Sequence, residues 1–427
     1  MPHPPGAMPA PLTDPDSSLT PLHGESFARD PYTVYDRLRE YGALAPVELA
    51  PGVSALLVTD YRAALSLLHD SRTWAKDPRP WQETALGASQ VRPMLEWRAS
   101  VLFNDGDTHR RYRGTVVDSL ERIEPHVLRD HVCQVADDLV ARFGARGEAD
   151  LIGEYARVLP LLVFNRMFGL SDASSGRLVR GLASMMEGRT HEEAAAGKAE
   201  FDAYVAELIA EKKRQRGEDI TSCFLHHPAN LDDDEVREQL VMCLGAGNEP
   251  TGNLIGSSLA RMLSDSRYYS TLTAGSLTPR DAIHDVLQNE PPMSNFSPHY
   301  ARHGVLFHGT WVPEGQLVLV SYAAANTQHG RTAIGEQGQL DHSVGGAHLA
   351  WGAGVHACPA QRPALLIATT AIERLTAWLA DLELTVAPGD LTWRHGPFHR
   401  ALTRLPVRFT PTALDSTGAT TWMTTSL

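Results

Sequence analysis

The 427-residue sequence predicts a mainly α fold with small β-sheets, in a single large domain. Three observations carry this. Apolar residues recur at three- and four-residue spacing through most of 109–262, the period of a helix buried on one face. Runs with β character are few and short. No internal repeat and no linker divides the chain, whose length suits two or three domains or one large one.

The elements follow in order. Residues 1–25, opening "MPHPPGAMPAPLTDPDSSLTPLHG", are Pro-rich and polar, and read as a disordered or extended arm. They have no basic or apolar region of the kind a signal peptide needs. The domain spans 26–412. "SALLVTDYRAALSLLHD" reads as a strand followed by a helix. Residues 75–107 read as irregular and hold Trp81 and Trp97; so long a loop is usually functional. "LRDHVCQVADDLVARFGARG" is a helix with a glycine stop, and "AEFDAYVAELIAEKKRQRG" a helix with a basic last turn. "DDDEVREQLVMCLGAGNEPTGNLIGSSLARMLSD" reads as one long helix with an acidic start, in which Pro250 should kink the chain against the carbonyl of Ala246. Short strands lie in "GVLFHGTWVPEGQLVLVSYAAAN", "LELTVA" and "LPVRFTP", and "ALLIATTAIERLTAWLADL" is a strongly apolar helix. Residues 413–427 read as a loose tail.

The net charge of −13 argues against general affinity for nucleic acid or anionic membrane, and the basic run "HRRYR", His109 to Arg113, is too short to reverse that. Cys133, Cys223, Cys243 and Cys358 lie far apart without a CxxC, so a reducing cytoplasm fits better than a disulfide framework. No run of 18 apolar residues is present to span a membrane.

The stretch most informative about chemistry is "WGAGVHACPAQ", Trp351 to Gln361. Pro359 suits a first helical position, which would make Cys358 the N-cap of a helix over 359–380 and favour its thiolate. Gly352 and Gly354 would let the backbone turn tightly and aim amides at the sulfur. On the loop alone, several readings stand: a buried structural cysteine, a zinc site using His342, His348, His356 and Cys358, a nucleophile, or a haem thiolate.

The loop resembles the cysteine-ligand signature of the cytochrome P-450 family, with Trp351, Gly352, Gly354, His356, Cys358 and Ala360 at the signature positions. Trp replaces the usual Phe, and Ala360 the usual Gly. The resemblance covers about residues 27–412. It implies the cytochrome P-450 fold and haem b, with Cys358 as the iron ligand. It also implies propionate contacts from His109 and Arg113, which share one helical face, from His356, and from His299. In "AGNEPT", Ala246 and Gly247 match the small residues that lie against the haem, and Glu249 matches the acid of the proton path. The usual alcohol position is Pro250, and Thr251 is displaced by one. The family's Glu-x-x-Arg reads Asp285-Val-Leu-Gln288 here, and Gln339 stands near the place of a second Arg. A mostly neutral hydrogen-bond network is therefore expected in place of a buried ion pair, as in a minority of actinobacterial members.

The implied activity is that of a haem-thiolate monooxygenase or oxidase acting on a small organic, natural-product or peptide substrate. Glu249 and Thr251 would be its catalytic side chains. No GxGxxG or flavin-type segment is present, so the resemblance implies a separate ferredoxin and ferredoxin reductase, docking near Arg110, Arg111 and Arg362. A cytoplasmic monomer is expected. Substrate contacts are expected from residues 75–100 and the helices around 174–200, with Trp81, Trp97, Met185 and Met186 as candidates whose alternative is core or loop packing. Two alternatives remain: an oxidase that cross-links aryl groups without inserting oxygen, and a haem-binding protein without turnover.

Overall fold

The structure, a computed structural model, describes residues 19–169, 191–265, 268, 277–328 and 347–412. Two apolar runs, β2 (Leu44–Ala50) and β3 (Val53–Val58), fold back on each other at Gly52, whose φ of 78° suits only a residue without Cβ. They join β1 (Thr20–Pro21), β4 (Trp74–Ala75), β5 (Asn295–Ala301) and β6 (Leu317–Ser321) in a six-stranded sheet of order β1-β2-β3-β6-β5-β4. β1–β2 and β3–β6 are parallel, and the other pairs antiparallel. Since β1 is paired and Leu22 is fully buried, the expected arm over 1–25 is corrected: ordered structure starts by residue 20. Residues 1–18 and the tail 413–427 lie outside the described residues.

The helices that position the site are α1 (Tyr61–His69), α2 (Gly106–Glu121), α3 (Pro125–Phe143), α4 (Val158–Met167), α5 (Asp233–Ser264), α6 (Pro279–Asn289), α7 (Tyr322–Asn326) and α8 (Gln361–Trp378). Val132 and Leu139 of α3, Leu240 and Ile255 of α5, and Ile372 and Leu375 of α8 meet in one apolar core. The expected long helix is α5. Asp232 and Glu235 close a capping box at its start, and it runs for 32 residues with Pro250 inside. A Cβ on Gly252 would lie 2.9 Å from the carbonyl oxygen of Ala156, so this glycine sets how closely α5 approaches that segment.

Residues 75–107 are less irregular than expected. Helices Arg79–Ala85 and Arg92–Leu95 form there, each with a proline (Pro80, Pro93) in its first turn, where a missing N–H is harmless. Among the described residues, no helix is long and apolar enough to cross a membrane.

Candidate functional site

The cysteine loop is shaped by two left-handed glycines, Gly352 (φ 67°) and Gly354 (φ 68°). A Cβ on Gly354 would collide with the Leu68 carbonyl oxygen, so the loop presses directly onto the end of α1. The backbone N–H of Cys358 donates to Trp351 O at 2.8 Å and closes the loop.

Cys358 is not the N-cap. α8 starts at Gln361 and is capped by Ala360; Pro359 and Ala360 form a turn before it. The amide aimed at sulfur is also not a glycine's. Gly352 N–H is committed to Leu349 O at 2.8 Å, and Ala360 N–H donates to the Cys358 sulfur. Surrounding protein raises the thiol pKa by desolvation, while the Ala360 amide and Arg113 oppose it. By surface area Cys358 is exposed, yet desolvation dominates its pKa. Both hold because the sulfur faces into a cavity walled by protein.

That cavity is shared by the cysteine loop and by Ala246, Gly247, Pro250 and Thr251 of α5. Thr251 Oγ1 donates to Gly247 O at 2.6 Å, within the helix. A Cβ on Gly247 would lie 2.9 Å from the Phe164 ring, so this glycine also admits α4. Glu249 is off the wall. It pairs with Arg394 and accepts from Asn253 Nδ2 at 3.4 Å.

Cationic groups gather at one end. Arg113 and His356 line the cavity, and the His109 ring packs against that of His356, tilted by 43° with centroids 4.0 Å apart. His109 is pushed down to about 4 by burial and then by His356 and Arg113, and its Nε2 has no partner among the described residues. His356 Nε2 lies 3.9 Å from Asp105 Oδ1. His299 is fully buried, with Nδ1 2.7 Å from Ser297 O, and is not on the cavity wall. Lys76, which nothing local in the sequence marks, lines the cavity instead. Burial lowers the pKa of each of these bases, neighbouring cations lower the histidines further, and the group is short of anions. They fit a flat ligand carrying two carboxylates, as haem does, better than a metal ion held by protein alone. Among the described residues no three His, Cys, Asp or Glu side chains form a metal-binding group; His342 lies outside them.

Two further expectations are corrected. The region of Asp285 and Gln288 is not a neutral network. Arg261 on α5 forms an ion pair with Asp285 on α6 at 2.6 Å, and Gln288 instead reaches Asn326 O at 2.9 Å. Gln339 lies outside the described residues. Trp81 and Trp97 do not line the cavity. Trp81 packs on Tyr300 in the core beside the sheet, and Trp97 carries the Arg79 guanidinium on its face. Val101, Leu102, Phe164, Met242, Met293 and Phe296 line the cavity instead. Met185 and Met186 lie outside the described residues.

Of the three arginines expected to dock a partner, Arg111 is engaged by both oxygens of Glu235 and by the carbonyls of Ala229 and Asn230. Arg110 and Arg362 are exposed, and Arg110 pairs with Asp107.

No family model matches the chain. It is 30% identical over 391 residues to cytochrome P450 107B1 of Saccharopolyspora erythraea, covering 90% of this chain and 96% of that one. It is 29% identical to the cytochrome P450 monooxygenase PikC of Streptomyces venezuelae, covering 90% and 92%. The structure superposes on CYP154C4 from Streptomyces sp. ATCC 11861 with a TM-score of 0.80 at 26% identity, covering 92% and 98%. Fold, site geometry and sequence agree, and the chain belongs to the cytochrome P-450 family of haem-thiolate oxidoreductases, whose members bind haem b through a cysteine thiolate.

Proposed function

We propose that the chain is a monooxygenase of apolar small organic or natural-product molecules, with Cys358 as the iron ligand. The observation that carries this is the single cavity joining Cys358, the small residues of α5 and the cationic end. When bound, haem b supplies the activation of dioxygen, which a thiolate ligand promotes. Cys358 holds the iron, with the Ala360 amide tuning its sulfur. Arg113 and His356, the latter braced by His109, bind propionate. Ala246 and Gly247 leave room for the flat ring. Leu102, Phe164, Met242 and Phe296 exclude water and hold the substrate by shape. Glu249 takes up protons from outside the cavity, and Thr251 faces their destination.

Electrons come from a ferredoxin and its reductase. Arg62, Arg110 and Arg362 are exposed on α1, α2 and α8, the helices around the cysteine loop, and suit an acidic partner. The protein acts as a cytoplasmic monomer; its four cysteines are free thiols. A second reading is favoured by Pro250: oxidative aryl coupling needs no oxygen inserted and tolerates a missing alcohol. Product mass separates the two, as a gain of one oxygen or a loss of two hydrogens.

The test of the haem-thiolate assignment is the reduced-CO spectrum. The parent protein gives the Soret band at the family's hallmark position, and Cys358→Ser loses it. A parent spectrum without that band overturns the assignment.

A further inference from the structure

Lys76 follows directly on the edge strand β4 and is only 4% exposed. Its backbone N–H donates to Asp105 Oδ2 at 2.8 Å, which fixes where the side chain starts. The side chain lines the cavity, and its Nζ donates to Ser297 Oγ at 3.0 Å. An ammonium has three donors. Among the described residues, no carboxylate comes within ion-pair distance of this one.

The nearby anion does not fill that gap. Asp105 accepts from the Lys76 backbone and from Arg302 Nη2 at 2.9 Å, and it faces His356. Around Lys76 stand His299, His356 and His109, all bases. Burial lowers the Lys76 ammonium to about 7, with Asp105 opposing. A buried cation facing a cavity with a hydroxyl as its acceptor is costly unless an anion enters with the ligand. β5 places His299 behind this point with its Nδ1 turned to Ser297 O, so the histidine cannot present that nitrogen to a ligand.

We propose that Lys76 is the charged donor to one haem propionate, in the place the resemblance gave to His299. Arg113 and His356 then serve the rest of the carboxylate pair. Ser297 holds the ammonium in readiness through its hydroxyl and moves with it to the carboxylate. The proposal rests on the haem-thiolate reading given above. Its test is built so that the two fail differently.

The experiment uses purified holoenzyme of the parent, Lys76→Met, Lys76→Arg and His299→Ala. Haem loss is followed by transfer to excess apomyoglobin, and the propionate bending bands by resonance Raman. Lys76→Met should release haem roughly tenfold to a hundredfold faster, as loss of a charged hydrogen bond implies, and its propionate band should shift. Its reduced-CO band should stay at the hallmark position, since the thiolate is untouched. Lys76→Arg keeps the charge and should retain haem nearly as the parent does. His299→Ala should leave the propionate band in place. Unchanged haem loss and an unshifted band in Lys76→Met overturn the proposal. So does Lys76→Arg losing haem as fast as Lys76→Met, or a band shift found in His299→Ala alone. A parent protein without the thiolate spectrum overturns the underlying reading instead.

Discussion

Arg261, in the last turn of α5, forms an ion pair with Asp285 of α6, its Nε 2.6 Å from Oδ2. Asp285 is 3% exposed, and its Oδ1 accepts from Asn289 Nδ2 at 2.7 Å. Asp285, which the resemblance sets at the Glu-x-x-Arg position, thus has an arginine partner drawn from a different helix. Sequence spacing could not reveal this, because the partner lies before the motif and not three residues after it.

Arg261→Met leaves Asp285 buried without its guanidinium. We expect a loss of about 2–3 kcal/mol, below the ~3–5 of a fully buried pair because Arg261 stays partly exposed. The double variant Arg261→Met/Asp285→Asn should recover most of the loss. Thermal unfolding of the four proteins gives the cycle, and equal losses in the single and double variants contradict it.

Asn326 in α7 is the second joint. Gln288 Nε2 donates to its carbonyl, its Nδ2 donates to Leu287 O at 3.2 Å, and its Oδ1 accepts from Leu349 N–H at 2.7 Å. Leu349 O in turn holds Gly352 N–H. Asn326→Ala therefore loosens the root of the cysteine loop and strands a buried amide, for about 1–3 kcal/mol. On mild heating, its reduced-CO complex should leave the hallmark position faster than the parent's. Identical decay would separate this joint from the loop.

The fold was legible wherever a pattern is local. The acidic start and long apolar period of α5, and the Gly–Pro punctuation around Cys358, each mark their element within one stretch of chain. What escaped depends on pairings far apart in sequence. Lys76 is buried because β4 pairs with β5, more than 200 residues on. Trp81 is drawn to Tyr300 by the same sheet, away from the cavity. The corrected start of α8 is a matter of two residues, the margin within which helix ends resist prediction.

Pro250 takes the N–H that would bond to the Ala246 carbonyl out of α5, beside the cavity. Pro250→Thr returns both an N–H and the alcohol of the usual motif. For a hydroxylated substrate, product formed per reductant consumed should rise. For a coupled product it should stay level or fall, because added proton delivery serves oxygen insertion. The measurement is the ratio of product to reductant with one substrate in both proteins.

Glu249 lies one residue before Pro250 and is held by Arg394. Glu249→Gln keeps its size and removes its charge. Oxygen consumption should then run ahead of product formation, with peroxide making up the difference. Turnover and coupling equal to the parent's would remove Glu249 from the proton path.

Glu235 makes stability depend on pH. It accepts from Arg111 Nη1 at 2.6 Å and Nη2 at 2.7 Å, from Tyr112 Oη at 2.8 Å and from Asp232 N–H at 2.9 Å, tying α2 to the start of α5. The Arg111 hydrogen bonds are the main cause that holds its carboxyl down to about 2, against 4.5 for an ordinary glutamate. A depressed carboxyl stabilises the folded state above its unfolded pKa, and that stability is lost as pH falls toward the folded value. Glu235→Gln should therefore cost about 2 kcal/mol at neutral pH, a figure held below the full shift because Arg111 is about a third exposed. The gap between parent and variant in thermal unfolding should close between about pH 5 and pH 2. A gap that stays constant over that range would mean that packing of the side chain, and not its charge, joins the two helices.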